Sequence, residues 1–184
     1  MRIDLGSKPI LYPMPVLIIG TYSEDGTPNA MNAAWGGISD THLVSICLGD
    51  HKTTRNILAR KAFTVSPADA ENVVAADFVG NVSADKVSNK LEKTGWHTEK
   101  GKWVDAPVIR ELPLALECEF VSYDEETGLL IGRIVNVRAE ERILTDGKVD
   151  LAKFRPIVYE PMAYGYYTLG EKVGQAYSDW KQLK

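Results

Sequence analysis

Residues 51–65 read HKTTRNILARKAFTV and place a run of polar side chains at the junction of two structural elements. The preceding residues 43–49, LVSICLG, form an apolar pattern typical of a strand and end in a glycine. Residues 53–61 predict a short helix with Thr53 or Thr54 as its N-cap. The chain therefore passes from strand to helix and returns to a strand in residues 62–66, a local order that the whole fold must accommodate.

Short strands dominate the sequence on both sides of this stretch. Residues 16–22 form an apolar strand, Glu24-Asp25-Gly26 supplies a turn, and residues 29–35 return as the second strand of a hairpin. In residues 114–120, LALECEF, every second residue is apolar, which predicts a half-buried strand with Glu117 on its solvent face. The later predictions are a long strand over residues 129–141 and a short hairpin with a connection within residues 143–161.

Two further helices are predicted between these groups of strands. The first begins at Ser66 as N-cap, with Pro67 at the first helical position, and closes at Gly80. The second runs from Ser83 as cap to Gly95 as C-terminal stop. Residues 96–109 look irregular, and the aromatic, glycine-punctuated tail from residue 164 does not look disordered.

Helices between strands would also fit a doubly wound sheet. The sequence contains no GxGxxG and no regular alternation of strand and helix, and its hairpin turns favour antiparallel pairing. We therefore predict a mainly β (α+β) fold, an antiparallel barrel with two or three inserted helices, formed by residues 1–184 as a single domain.

The composition is that of an ordinary globular protein. Of the 184 residues, 45% are apolar and 25% are charged, which suffices for a core without a disulfide or a metal. The net charge of −4 argues against a nucleic-acid binder. Cys47 and Cys118 lie in apolar runs and are predicted to be buried thiols, and no Cys/His spacing marks a metal site. With no secretory or membrane-spanning segment visible, we expect a cytoplasmic protein without membrane contact.

The polar run itself predicts a phosphate site. The first N–H groups of a helix lack internal partners and carry partial positive charge, and Lys52, Thr53, Thr54 and Arg55 add donors there. The alternative is a well-capped helix with a solvated polar end. The strand Asn29-Ala-Met-Asn-Ala-Ala-Trp35 carries small side chains that would let a flat ligand approach its backbone, or alternatively let a neighbouring element pack closely.

These motifs together resemble the flavin reductase-like family of FMN-binding split barrels, in particular its flavoredoxin branch. The resemblance lies in the ordered series Pro13-x-Pro15-Val16, Gly26-x-x-Asn29-Ala30-Met31-Asn32-Ala33, Lys52-Thr53-x-x-Asn56-Ile57, Ala76-Asp77-Phe78-Val79-Gly80, Gly95-Trp96-His97, Ala106-Pro107, Leu112-Pro113-Leu114, Glu117-Cys118 and Tyr166-Tyr167-x-Leu169-Gly170. It covers nearly the whole chain and implies a split barrel that binds one FMN per subunit at a homodimer interface.

The resemblance also implies roles for individual residues. Lys52, Thr53 and Thr54 would hold the phosphate, helped by Lys90, and Gly49 would let the chain turn closely past the flavin. His51 stands where many relatives have Ser, and Ala34 and Trp35 replace polar residues of many flavin reductases. The residues implied to contact FMN are Asn29, Ala30, Met31, Asn32, Ala33, Ala34, Trp35, Gly49, His51, Lys52, Thr53, Thr54, Lys90 and Tyr166.

His97 is the candidate for a group that contacts substrate or tunes the flavin, and the alternative is a loop histidine satisfied by backbone. Tyr164, Tyr166 and Tyr167 could wall the flavin or the dimer interface, or simply pack. Two functions stay open at this point. The first is an FMN-dependent oxidoreductase or electron carrier, supplied by NAD(P)H or by a protein donor. The second is a non-catalytic module that binds another phosphorylated or planar ligand.

Overall fold

The computed structural model describes residues 1–183, and its centre is one curled antiparallel sheet. Seven strands pair in the order β3-β2-β6-β9-β10-β5-β4, and three smaller sheets (β1-β13-β14, β11-β12 and β7-β8) surround it. The strands are β1 (Met14–Pro15), β2 (Leu17–Tyr22), β3 (Pro28–Ala33), β4 (Gly36–Asp40), β5 (Leu43–Cys47), β6 (Ala62–Pro67), β7 (Thr98–Lys100), β8 (Pro107–Ile109), β9 (Leu114–Asp124), β10 (Leu129–Ala139), β11 (Leu144–Thr145), β12 (Lys148–Val149), β13 (Ile157–Glu160) and β14 (Gly165–Thr168).

Three α-helices interrupt the strands of the described residues. They are α1 (Lys52–Arg60), α2 (Val73–Asn81) and α3 (Leu151–Phe154), and single 3₁₀ turns cover Glu92–Thr94, Glu141–Ile143 and Asp179–Gln182. The predicted mainly β fold with helices inserted between antiparallel strands is confirmed. No helix within residues 1–183 has both the length and the apolar character needed to cross a membrane.

Strand β2 separates two hydrophobic cores. Ile18 belongs to the core that includes Ala76 and Val79 of α2, and Ile19 belongs to the core that includes Ile57 of α1. Because both faces of β2 are covered, its apolar residues Leu17, Ile18 and Ile19 are consecutive instead of alternating with polar ones. This arrangement puts the two helices on opposite sides of the sheet.

The close packing of β6 and β10 explains a glycine in the long strand. The ring of Phe63 lies against Gly132, where a Cβ would collide with it. The pairing of β9 with β10 shifts register on either side of this region, between Ile131 and Gly132 and again between Ile134 and Asn136. Such irregularities bend a strand, which allows the sheet to curl.

The three predicted helix boundaries differ from the observed ones. His51 is the N-cap of α1, because the hydroxyls of Thr53 and Thr54 bond to other partners. Strand β6 continues through Pro67, so α2 begins only at Val73, after an Asp69 turn in which the carboxylate accepts the N–H groups of Glu71 and Asn72.

The predicted helix over 83–95 is wrong except at its end. Ser83 and Asp85 bond to each other's groups, which stabilises a turn that competes with the helix. Only Glu92–Thr94 is helical, as a 3₁₀ turn closed by Gly95 at φ +74°. The region predicted to be irregular contains the β7–β8 hairpin instead.

Two predictions of burial also need correction. Glu117 is fully buried because the chain after β7 covers that face, and its carboxylate accepts N–H groups from Trp103 at 2.6 Å and from the Asn136 side chain at 3.0 Å. Cys118 is buried as predicted, but Cys47 is exposed, because it lies on the uncovered outer face of β5 opposite Leu129.

Candidate functional site

A cleft of about 270 Å³ lies where the beginning of α1, the edge strand β3 and the segment after α2 meet. We call it the lysine cleft. It brings together residues that are far apart in sequence, and its lining includes Asn29, Asn32, Lys52, Thr53, Gly80 and Lys90. Because β3 has a neighbour on only one side, part of its backbone N–H and C=O groups face away from the sheet and are open to a ligand.

The beginning of α1 supplies donors to the lysine cleft. The N–H of Arg55 makes the first bond of the helix, to the carbonyl of His51, so the N–H groups of Lys52, Thr53 and Thr54 lack helical partners. No side chain caps this end and no acidic residue occupies the first turn. The helix end is therefore suited to an anion, as the sequence predicted.

Asn29 carries an unusual polar atom. Its side chain is buried, and its Nδ2 donates to Oγ1 of Thr53 at 2.8 Å. Its Oδ1 is the one buried side-chain N or O atom of the described residues that lacks a hydrogen-bond partner. Buried polar atoms are almost always paired, so this oxygen marks a place where a ligand donor belongs.

Lys90 is the second group of the cleft that lacks a partner within the chain. The residue is only 4% exposed, and burial lowers its pKa from 10.5 to about 8. Burial is the only cause of that shift, so the Lys90 ammonium has no carboxylate of the described residues as a counter-charge. Buried cations are normally paired, which makes an anionic ligand the expected partner.

Arg55 does not reach into the cleft. Its guanidinium donates to Asp50 at 2.7 Å and to Asp85 at 2.6 Å, and these exposed contacts raise the pKa of Arg55 and lower that of Asp85. Within this chain Arg55 is engaged with these two carboxylates, and its role at a phosphate stays a hypothesis. The bond to Asp85 ties α1 to the segment that carries Lys90.

The last turn of α2 approaches β3 very closely. A Cβ on Gly80 would lie 3.1 Å from Cβ of Asn32, and the Asn32 amide donates to the carbonyl of Ala76 at 3.2 Å. This contact fixes the floor of the lysine cleft. The sequence predicted that Gly80 ends the helix. Instead, α2 continues to Asn81, and Gly80 permits the close approach to β3.

A second cavity, of about 410 Å³, adjoins the lysine cleft and shares Asn32, Gly80 and Asn81 with it. We call it the tyrosine cavity, because Tyr159, Tyr164 and Tyr166 line it together with Asp77, Ala34 and Val16. The Tyr166 hydroxyl donates to Asp77 at 2.8 Å. Burial and this bond raise the pKa of Tyr166 to about 12, so its hydroxyl stays protonated.

A third depression lies on the other side of α1. It is a groove of about 600 Å³ that contains Trp35, Cys47 and Gly49. Its charged lining residues are Asp50, Glu125, Glu126 and Arg55, so acids outnumber bases there. The sign of its charge makes it a poorer place for a phosphate than the lysine cleft.

The predicted site residues thus fall into four groups. Asn29, Met31, Asn32, His51, Lys52, Thr53 and Lys90 line the lysine cleft, and Ala34 and Tyr166 line the tyrosine cavity. Trp35, Gly49 and Thr54 line the groove, while Ala30 and Ala33 point into the two cores and offer only backbone.

His97 lies outside all three depressions and is exposed. Its Nδ1 lies 2.7 Å from Oε1 of Glu111, and its backbone N–H donates to the same carboxylate. Burial raises the pKa of Glu111, but the bonds from His97 outweigh it and lower the value overall. Within this chain His97 is engaged with Glu111, and its role at a flavin stays a hypothesis.

The residues that sequence reasoning missed come from the end of α2. Asp77, Gly80 and Asn81 line the depressions, as does Tyr159 of β13. The first two stand in the motif Ala76-Asp77-Phe78-Val79-Gly80, which carried part of the resemblance without a role attached to it. No cluster of three or more His, Cys, Asp or Glu residues arranged for a metal occurs within residues 1–183.

Comparison with known proteins identifies the family. The model of the flavin reductase like domain matches residues 10–167, most of the chain. The chain belongs to this family. The part of the chain that matches includes the lysine cleft and the tyrosine cavity, and the family recognised from the ordered motifs is confirmed. That one domain extends over residues 1–184 stays a prediction.

Solved structures agree with this assignment. A flavoredoxin of Desulfovibrio vulgaris (Miyazaki F) is 34% identical, with a TM-score of 0.93 over 97% of this chain and 99% of that one. A flavoredoxin from Methanosarcina acetivorans is 27% identical, with a TM-score of 0.90 over the full length of both chains. A protein of Aquifex aeolicus (strain VF5), whose name states no function, is 26% identical over 159 residues, 80% of this chain and 81% of that protein. The predicted split-barrel fold class is confirmed.

Proposed function

We propose that this chain is an FMN-binding redox protein that passes electrons between NAD(P)H or a protein donor and an acceptor. The domain family and the flavoredoxin neighbours support the redox role and FMN as the cofactor. Within the chain, one observation carries the proposal. The buried Oδ1 of Asn29 has no partner and lies in the same cleft as Lys90, a buried cation without a counter-charge.

The residues of the lysine cleft fit FMN group by group. Lys52, Lys90 and the free N–H groups at the beginning of α1 would hold the phosphate, whose negative charge supplies the missing counter-charge of Lys90. A hydroxyl of the ribityl chain would donate to Oδ1 of Asn29. The open edge of β3 offers backbone groups to the edge of the ring.

When bound, FMN supplies the electron-transfer chemistry, because the flavin accepts electrons singly or in pairs. The residues of the chain bind and orient it. Thr53 is held by Asn29, and Lys90 is held on a segment that Arg55 and Asp85 fasten to α1. These contacts stiffen the cleft before the cofactor arrives, which lowers the entropy cost of binding.

A homodimer is part of the proposal. Trp35, Cys47 and Leu129 are exposed beside β4, on β5 and at the beginning of β10, so the outer face of the sheet has an uncovered apolar area. A second copy of the chain that packs on this face would cover it and would bring another surface close to the flavin. The cytoplasmic location expected from the sequence stays a prediction.

The visible absorption spectrum of the freshly purified protein tests the proposal. Flavin bands that stay with the protein through a desalting column support it, and a protein that takes up no FMN favours a module for another phosphorylated or planar ligand. Anaerobic addition of NADH and NADPH then shows whether the electron donor is a reduced nicotinamide cofactor or another protein. Bleaching indicates a reductase, and a spectrum that persists indicates a protein donor.

A further inference from the structure

The chain continues beyond β14 as an arm that stands away from the domain. Residues 169–183, which we call the arm, are all exposed. Among the described residues, the hydrogen bonds of the arm join one arm residue to another, and none reaches the rest of the chain. The arm still has a defined shape, because the Asp179 carboxylate accepts the N–H of Gln175 at 2.7 Å and a 3₁₀ turn covers Asp179–Gln182. Its own domain does not hold it in place.

The arm carries large apolar side chains that pack against almost nothing in their own chain. Val173 is 101% exposed and Tyr177 is 95% exposed, and Trp180 and Leu183 are also exposed. Single apolar residues are common on protein surfaces, but several of them on one segment mark an interaction surface. The arm is therefore suited to packing on another molecule.

The small sheet β1-β13-β14 extends this apolar surface. Its edge strands β1 and β14 lie on either side of β13, about 10 Å apart. Leu11 and Tyr12 precede β1, Tyr167 and Leu169 lie at the end of β14, and all four are exposed. The Tyr12 hydroxyl donates to Glu160 of β13 at 2.6 Å, which fastens the segment before β1 to the small sheet. The arm thus leaves the domain from a surface that is itself partly apolar.

The extent of the arm is shared with a full-length relative. The family model ends at residue 167, so the arm is an addition to the flavin reductase like domain. The match with the flavoredoxin from Methanosarcina acetivorans nevertheless covers all of both chains and includes the arm. A segment shared in this way argues against an incidental tail.

The size of the surface favours a second copy of the chain as the partner. An aromatic side chain buries about 150–250 Å², so the two aromatic and two aliphatic side chains of one arm offer roughly 500 Å². In a two-fold dimer both arms are covered, and each covers an equal area of the other copy, which gives roughly 2,000 Å² in total. That area is typical of a stable interface, whereas a partner that met a single arm would bury only about half of it.

The charge of the arm does not favour a lipid surface. Its acidic residues Glu171 and Asp179 balance its basic residues Lys172 and Lys181. Segments that bind anionic membranes carry an excess of Lys and Arg. A balanced arm with exposed apolar side chains is better suited to another protein surface.

Resting on the homodimer of the proposed function, we propose that the arm of each copy packs on the second copy of the chain and holds the dimer together. An arm of about 15 residues reaches up to about 50 Å when extended, which is enough to cross a domain of this size. Because a two-fold dimer repeats every contact, the exchange of arms is reciprocal. The apolar side chains of the arm are then covered by the partner.

Limited digestion of the FMN-loaded protein with trypsin tests the contact. Lys172 and Lys181 are trypsin sites within the arm, and Lys148 on the exposed strand β12 is the internal reference. Digestion is followed by mass spectrometry at protein concentrations above and below the dimer dissociation constant. We expect the arm to be cleaved at least about tenfold more slowly in the dimer, with cleavage at Lys148 unchanged within about twofold.

The other places for the arm give different results. An arm packed on its own chain would be protected equally at every concentration, and a free arm would be cleaved rapidly at every concentration. Protein that sediments with vesicles of phosphatidylserine and phosphatidylcholine, and stops doing so when Val173 and Trp180 are replaced, would assign the arm to a lipid surface. Each of these results would overturn the proposal.

A pair of double variants tests the side chains. Val173→Ser with Trp180→Ser should weaken the dimer at least about tenfold in sedimentation equilibrium. Val74→Ser with Trp103→Ser is the matched control, because it removes the same two residue types from exposed positions outside the arm, and it should change the dissociation constant by less than about twofold. Equal effects of the two double variants would contradict the assignment.

The visible spectrum of the same samples tests the redox function separately. A protein that retains its flavin while its arm is cleaved equally at all concentrations would lose the arm contact and keep the proposed cofactor. A dimer whose arm is protected but which takes up no FMN would keep the arm contact and lose the proposed cofactor.

Discussion

Nδ2 of Asn29 donates to Oγ1 of Thr53 at 2.8 Å, while Oδ1 of the same amide is buried without a partner. The bond joins the edge strand β3 to the beginning of α1 across the lysine cleft. It orients a hydrogen-bond acceptor toward a ligand and holds the phosphate-binding end of the helix beside it. The Asn29–Thr53 pair therefore joins β3 and α1 to each other and presents an acceptor to the proposed cofactor.

Asn29→Ala should weaken FMN binding about tenfold, because it removes the ligand's acceptor and frees Thr53. Its cost to the apoprotein should be under about 1 kcal/mol, since the unpaired oxygen disappears with it. FMN titration and urea unfolding of the apoprotein measure the two effects.

Asn136→Ala is the matched control for that substitution. Its amide donates to the buried Glu117, so its removal should destabilise the apoprotein by about 1–3 kcal/mol and leave FMN affinity within twofold. If the two asparagine variants lost FMN equally, Asn29 would have no special role in the cleft.

Lys90→Met should stabilise the apoprotein and weaken FMN binding at the same time. The fall in the pKa of Lys90 from 10.5 to about 8 corresponds to about 3 kcal/mol, the upper limit of the gain. The unfolded chain keeps its proton up to about 10.5, so the cost of the buried charge is complete below pH 8 and disappears between pH 8 and 10.5.

Unfolding of the apoproteins across this range measures that gain. The stability difference between wild type and Lys90→Met should shrink as the pH rises above 8. FMN affinity of the wild type should fall over the same interval, as Lys90 loses the charge that holds the phosphate. Lys148→Met, on the exposed strand β12, should do neither. A pH-independent difference would mean that burial does not lower the pKa of Lys90.

Gly80→Ala should lower FMN affinity with little change in stability. The new Cβ would displace Asn32 by a few tenths of an ångström and disturb the shared floor of the two depressions. Alanine favours the helix by about 1 kcal/mol over glycine, which offsets the tight contact. Gly170→Ala meets nothing within 4 Å and should leave FMN affinity unchanged. Equal affinities of the two variants would remove Gly80 from the site.

Leu129→Asp should convert a dimer to a monomer and weaken FMN binding, since it places a charge on the exposed apolar face opposite Cys47. Light scattering coupled to size-exclusion chromatography measures the mass. Val149→Asp, on the separate β11–β12 hairpin, is the control. A wild-type protein that is monomeric with FMN bound would contradict the dimer.

Local patterns were sufficient to predict much of the fold. The hairpin of β2 and β3 and the long strand β10 follow from apolar runs and turn residues that act within a few positions. The errors arise where distant chain segments decide. Glu117 is buried because the β7–β8 hairpin covers it, and Asp85, whose bonds with Ser83 favour a turn, is also paired with the distant Arg55.

The candidate site divides in the same way. The end of α1 could be predicted, because unpaired helix donors beside Lys52 are a local property. The roles of Asp77 and Tyr159 could not be predicted. Asp77 bonds to Tyr166, which is 89 residues away in the sequence, and Tyr159 lines the same cavity as Asp77 only in the folded chain. The resemblance placed Lys90 near the phosphate, although its local sequence gives no sign of burial.

The most direct test of the lysine cleft compares the affinities of FMN and riboflavin, which differ only in the phosphate. If Lys52, Lys90 and the beginning of α1 hold the phosphate, wild-type protein should bind FMN at least about 100-fold more tightly than riboflavin, a difference of about 3 kcal/mol. The combined variant Lys52→Ala and Lys90→Met should reduce this preference to about tenfold or less. Equal affinities of the wild type for the two flavins, or a preference that survives the double substitution, would contradict the account.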